Sequence, residues 1–442
     1  VLSTAYALNA GTVTTWGDDA AGMRVGAVQE GVDITGSGAM EGAVDGAIIV
    51  ARAENAGDIV THGDGSDGIA AEANGDVRYY DYVEYEIVHL DAGASVDNSG
   101  TITTYGDYSN GVSAQGPHVE VVNEADATIT VNGDYSVGIE ARSFGLATTE
   151  VENAGTITVN GDYSAGIYAT GEYVTIENGA TGVIDASDSY AGVIPGDEYG
   201  LGILVNDSRD ITIDNAGKIY GTVAVGHALG FHIDAMFYND TDLTNTGTIE
   251  GNVILASGDD TVLNEGGTVS GGIYTGRGDD EVTISGTGNE IGYGIHSAAD
   301  EYDYSTLTFE QTDKLTLDNG AAHSIFEGPG GLSPEGANGL AISGFDRIDF
   351  KDGTTVFDET DILTNKYAGD IVLHQGAKVS ALDDMWIGAG SFQVGTGSGE
   401  GIDTYADLEL THGAAVYSTA DFDFANGGRL IVGINGDDDT GF

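Results

Sequence analysis

Side chains able to do chemistry in this sequence gather in acidic turns. Gly258-Asp259-Asp260-Thr261-Val262 and Gly276-Arg277-Gly278-Asp279-Asp280-Glu281-Val282 each set adjacent carboxylates behind glycine, the second lying twenty residues after the first. Hard oxygen ligands of this kind suit Ca2+ at the weak affinities of extracellular modules. Asp259, Asp260, Asp279 and Asp280 are therefore candidate calcium ligands, with solvated acidic turns as the alternative, and Ca2+ is the cofactor to look for. A second set is aromatic. Tyr108, Tyr135 and Tyr163 recur in Gly-Asp-Tyr-Ser turns at gaps of 27 and 28 residues. Held in register, they would line one edge and could meet glycans or proteins, since aromatics are enriched at contact sites; stacking that only stiffens the corner is the competing reading. Residues 76–90 collect Tyr79, Tyr80, Tyr82 and Tyr85 among acids, as a binding loop or an outward strand.

Other chemistries find little support. The chain has no Cys, and its nine His form no zinc-binding pattern. A nucleophile elbow, a Walker loop and a dinucleotide fingerprint are all missing from a strand-to-helix context. Paired carboxylates occur throughout and so discriminate nothing, while 13 Lys and Arg in 442 residues are spread too thinly to hold an acidic glycan. The expectation is a protein that is not an enzyme. Seventy-two acids give a formal charge of −59, which excludes nucleic acid and disfavours anionic lipid. Self-repulsion of that size is relieved by salt or divalent cations, so a medium outside the cell fits best. No apolar run approaches about 18 residues and no series of amphipathic membrane strands is visible, so direct membrane insertion by this chain is not expected.

The elements that must position these residues are legible as repeats. NAGTVTTWGDDAAGMRV (9–25), NAGDIVTHGDGSDGIAA (55–71), NSGTITTYGDYSNGVSA (98–114), ADATITVNGDYSVGIEA (125–141) and NAGTITVNGDYSAGIYA (153–169) follow one plan. Asn or Gly turns the chain, a short strand alternates, Gly-Asp turns it again, and a second strand opens behind Gly. Ile157 and Val159 alternate with Thr156 and Thr158, giving one apolar and one polar face. The turn aspartates Asp18, Asp64, Asp107, Asp134 and Asp162 are separated by 46, 43, 27 and 28 residues. Gaps near 27 suit one coil of a parallel β-helix, and the longer ones suit two coils or one coil carrying an inserted loop. The spacing therefore predicts an all-β, right-handed parallel β-helix with irregular coils and inserted loops. Its main body is expected over 1–326, a Gly/Pro loop over 327–339, and a more degenerate continuation or cap over 340–442.

From NAGKIYGTVAV at 215 through NTGTIEGNVILASGDDTVLNEGGTVSGGIYTGRGDDEVTI (245–284), the pattern resembles autotransporter (type V secretion) passenger domains. The 276–282 segment is similar to the G-x-G-x-D-x-apolar core of calcium-binding RTX nonapeptides, without their tandem nine-residue period. The first resemblance implies a β-helix on a bacterial cell surface, presenting loops for structural or adhesive contacts with other surface proteins or glycans. A subunit that assembles with other copies of itself into a layer, sheath or filament is the alternative; Val1–Leu8 and Gly427–Ile434 are apolar enough to pair across copies, with calcium offsetting repulsion. A polysaccharide-active enzyme ranks third.

Overall fold

A computed structural model describes residues 2–29, 48–75, 91–144, 147–189, 200–225, 239–255, 258–286, 289–291, 294–297, 314–326, 340–343, 345, 347–357, 361–364, 370–381, 385–388, 391–395, 405–410, 416–418, 421–425 and 427–432. Among them there is no helix, and the strands pair in parallel, as a right-handed β-helix requires. Contacts divide the chain into two compact units: Val1–Gly192, Glu198–Gly221 and Gly226–His232 form the first; Val193–Asp197, Thr222–Val225 and Ile233–Phe442 form the second. The division falls well before the Gly/Pro segment 327–339, which lies outside the described residues.

In the first unit each coil but the last contributes one strand to each of three columns, and the last contributes to two. The first column holds Leu2–Asn9, Ile48–Asn55, Asp91–Asn98, His118–Asn123, Thr148–Asn153, Tyr173–Asn178 and Asp210–Asn215. Thr12–Thr15, Asp58–Thr61, Thr101–Thr104, Thr128–Val131, Thr156–Val159, Val183–Asp185 and Lys218–Tyr220 make the second. Met23–Gln29, Ile69–Gly75, Val112–Gly116, Val137–Ser143, Ala165–Thr170 and Leu201–Val205 make the third. Register places like on like. Ile59, Ile102, Ile129, Ile157, Ile184 and Ile219 stack inside the second column, fully buried. No single coil could bury that row, so the coils depend on one another. The 46- and 43-residue gaps are single coils: Leu2 pairs with Ile48, and Ile48 with Asp91.

Every first-column strand of this unit ends in Asn, and those side chains form a buried ladder. Asn9 Nδ2 donates to Asn55 Oδ1, Asn55 to Asn98, and so on through Asn123, Asn153 and Asn178 to Asn215, each at 2.8 Å. A carboxamide can do this because donor and acceptor share one planar group. Gly111 opens a third-column strand at a close approach: a Cβ there would collide with the Ile129 side chain and the Gly138 carbonyl.

The second unit uses tighter coils. Asp240–Asn245, Thr261–Glu265 and Glu281–Ser285 stack in register, with 19 and 20 residues between the stacked Asp240, Asp259 and Asp279. Asn245, Asn264 and Asn289 form its buried amide ladder at 2.6 and 2.8 Å. Later coils run through Lys314–Phe326, Arg347–Phe357, Asp370–Leu373, Ser391–Val394 and Asp421–Phe424, and Phe350 and Phe392 fill the interior where Val and Ile serve earlier.

Candidate functional site

The Gly-Asp turns stand between the second and third columns of the first unit, and their chemistry repeats coil by coil. Asp18, Asp64, Asp107 and Asp134 each accept, at Oδ1, the backbone N–H of the next turn aspartate, at 2.9–3.2 Å. A line of carboxylates thus runs along the edge. Two residues further on, the inner wall carries a serine ladder: Ala20, Ser66, Ser109 and Ser136 N–H donate to the hydroxyls of Ser66, Ser109, Ser136 and Ser164 at 2.9–3.0 Å.

Between aspartate and serine lies a residue in the left-handed region. Asp19, Gly65, Tyr108, Tyr135 and Tyr163 take φ values of 54°, 64°, 55°, 53° and 54°. The expected line of Tyr108, Tyr135 and Tyr163 is present: neighbouring rings stack with centroids 5.2 and 5.1 Å apart and planes within 8°. All three remain exposed, Tyr108 to 63%. Desolvation, the phenol groups of Tyr108 and Tyr163, and the nearby Asp134 and Asp107 together raise the Tyr135 pKa above its ordinary value. A second stack precedes the turn. Trp16 lies 3.9 Å from His62, which lies 4.9 Å from Tyr105. Sequence reasoning missed it because three different residue types occupy one repeat position, although each stands immediately before Gly-Asp. Asn160 and Asn132 continue that row, hydrogen-bonded at 2.9 Å. The edge therefore offers ring edges, phenol hydroxyls and carboxylates in parallel lines. Tyr79, Tyr80, Tyr82 and Tyr85 lie outside the described residues.

A second group missed from sequence sits on the outer face of the third column. Asp67 Oδ1 accepts Asn110 N–H at 2.9 Å, Asn110 Nδ2 donates to Glu140 Oε2 at 2.8 Å, and Ser113 Oγ donates to the same oxygen at 3.0 Å. Arg142 pairs with Glu140 and lies over the Tyr168 ring, 5.0 Å from its centroid. Burial, then the Glu140 charge, push Asp67 up to about 6 against the opposing Asn110 hydrogen bond and Arg24. In the second unit, Asp349 accepts two hydrogen bonds from Arg347 at 2.6 and 2.8 Å and shares one with His374 Nε2 at 2.7 Å. Burial works to raise that carboxyl, but these partners outweigh it and hold Asp349 below the usual carboxylate range.

The four candidate calcium ligands separate into two pairs. Asp259 and Asp279 are exposed: Asp259 N–H donates to Asp240 Oδ1 at 2.9 Å and Asp279 N–H to Asp259 Oδ1 at 3.0 Å. Asp260 and Asp280 point inward, each 1% exposed, with Asp260 N–H donating to Asp280 Oδ1 at 3.1 Å. Burial first, and then Asp280, push Asp260 up to about 9. Among the described residues, no three His, Cys, Asp or Glu side chains are grouped to hold a metal ion.

No curated protein matches the chain. The model of one family, described as the BigA third pectate lyase-like domain, matches residues 4–253, which is more than half of the sequence and contains the stacked turns and the buried amide ladder of the first unit. The fold is thus a β-helix related to pectate-lyase-like domains, and the chain belongs to the BigA third pectate lyase-like domain family.

Proposed function

We propose that this protein is an extracellular, surface-displayed β-helix that acts by contact rather than turnover, with the Gly-Asp-Tyr edge as its contact strip. One observation carries the reading. Tyr108, Tyr135 and Tyr163 occupy a positive-φ position that Gly65 fills elsewhere in the same row, and their rings face outward. An L-residue there costs roughly 1–2 kcal/mol. Backbone strain kept at an exposed aromatic favours a role in recognition over one in the interior. Repetition supports it too, because weak contacts made coil after coil add up. The strip is acidic and hydroxylated, so its partners are other surface proteins or glycans rather than polyanions.

The test is a triple variant, Tyr108→Gly, Tyr135→Gly and Tyr163→Gly, assayed for adhesion to cells and to arrays of immobilised glycans. Glycine suits the backbone, so the fold is retained, and adhesion is expected to fall at least about tenfold, as for the loss of hot-spot aromatics. Unchanged adhesion in the variant would remove the strip from the mechanism. Turnover of a polysaccharide would replace contact by catalysis, and calcium-driven growth in light scattering would favour a self-assembling subunit.

A further inference from the structure

The inner corner that opens the first-column strands of the second unit has more buried oxygen than donors to satisfy it. Thr241 N–H donates to Asp260 Oδ1 at 2.9 Å, Asp260 N–H to Asp280 Oδ1 at 3.1 Å, and Thr275 Oγ1 to Asp280 Oδ2 at 2.6 Å. Both oxygens of Asp280 are therefore engaged. Asp260 has only one engaged, for a reason visible in the register: Ile254 pairs with Tyr274, so Leu255 stands one coil before Thr275 and offers no hydroxyl. Among the described residues, Asp260 Oδ2, Asn239 Oδ1 and Thr241 Oγ1 are all buried without a hydrogen-bond partner. Their residues are 1%, 5% and 1% exposed. Asn239, just before the Asp240–Asn245 strand, and Thr241 within it are buried on either side of the exposed Asp240, and the Thr241 hydroxyl faces the Asp260 carboxyl. Two carboxyl groups stacked on adjacent coils, out of water, are neutralised by a proton or by a bound cation.

We propose that a hard divalent cation, calcium by preference, binds in this corner through Asp260 Oδ2, Asn239 Oδ1 and Thr241 Oγ1. The donors are all oxygen, mixing carboxylate, amide and hydroxyl as calcium accepts; zinc takes nitrogen and sulfur, and magnesium retains its waters. Two acidic side chains match the charge. The exposed Asp259 and Asp279 belong to the outward ladder and are not ligands. This inference is independent of the contact strip.

The experiment uses the full chain, stripped with chelator and titrated with CaCl2 at neutral pH, followed by calorimetric binding and thermal unfolding. Expected are one bound ion with a dissociation constant on the order of 0.1–1 mM and a rise in Tm with calcium. Asp260→Asn, which keeps the acceptor for Thr241 N–H, should weaken calcium at least about tenfold, and Asp259→Asn should not. Should Asp260→Asn fail to fold, Leu255→Thr supplies Oδ2 with the hydroxyl that Thr275 gives Asp280, and should likewise weaken binding. The proposal is overturned if calcium leaves the Tm of the parent chain unchanged, or if Asp259→Asn abolishes the response while Asp260→Asn and Leu255→Thr keep it. The first of these outcomes would make a proton on Asp260 the neutralising charge.

Discussion

The inner corners of the two units obey one hydrogen-bond rule with different side chains. In the first unit the backbone N–H of Ser66, Ser109 and Ser136 donates to the serine hydroxyl of the next coil; in the second, Thr241 and Asp260 donate to an aspartate carboxyl. A hydroxyl accepts and donates, so Ser109 Oγ in turn donates a hydrogen bond to the Gly63 carbonyl at 3.1 Å and the ladder closes without charge. A carboxylate only accepts. Its ladder must therefore be neutralised by a proton or a cation, and it leaves Asp260 Oδ2 without a partner among the described residues. Stacked backbone tolerates either solution; the serines complete themselves, whereas of the two aspartates Asp280 is completed by Thr275 and Asp260 is not.

The largest effect should come from moving the second unit's chemistry into the first. Ser136→Asp places a carboxylate in the serine ladder, beside the Asp134 carbonyl that the Ser136 hydroxyl now satisfies at 3.0 Å. With no cation supplied there, the loss of stability should be about 3–5 kcal/mol, as for an uncompensated buried charge. Urea denaturation measures it. A loss below about 1 kcal/mol, the scale of one ordinary hydrogen bond, would show that the hydroxyl's donor role is dispensable and would break the comparison.

Much of this architecture is legible in the letters, because register stacks identical residues. Ile102, Ile129 and Ile157 are read directly as an inward row, and Asn98 and Asn153 as corner residues, while Asn123 joins them only through register. What escapes is of two kinds. Trp16, His62 and Tyr105 stack although their side chains differ, so no repeated letter marks them. Asp67 and Glu140 are linked across two coils because Asn110 bridges them, a relation set by coil spacing that the 43-residue gap between Asp64 and Asp107 disguises. Asp259 and Asp260 are the instructive pair. Both read as turn acids, yet the period of two counted back from inward Val262 turns Asp260 inward and Asp259 outward. The same parity separates Asp279 from Asp280.

Asp67 sharpens the comparison, as a partly buried carboxyl that the first unit does contain. Its folded pKa is raised from 3.8 to about 6, so the folded chain holds this proton more tightly than the unfolded one. Its contribution is fully present below pH 3.8 and is lost as pH rises through about 6. Above that, the ionised group costs about 2–3 kcal/mol. Asp67→Asn keeps an acceptor for Asn110 N–H and removes the ionisation. The variant should equal the parent chain near pH 3.5 and exceed it by about 2 kcal/mol above pH 7. The difference between the two profiles cancels the other carboxylates, and parallel profiles would show that Asp67 ionises freely in the folded state.

The smallest effect tests whether the outer edge stores strain while the inner wall stores hydrogen bonds. At Tyr135 two opposing quantities are nearly equal. The left-handed backbone costs roughly 1–2 kcal/mol for an L-residue, and each of its two ring contacts returns about 0.5–1.5 kcal/mol. Tyr135→Gly removes both and should leave stability within about 1 kcal/mol of the parent. Tyr135→Ala keeps the strain and loses the rings, so it should be the less stable variant, by about 1 kcal/mol relative to Gly. Thermal melts of the two variants decide it. Equal melting would mean that the φ of 53° stores no strain at Tyr135, and that its exposed ring is explained by stacking alone.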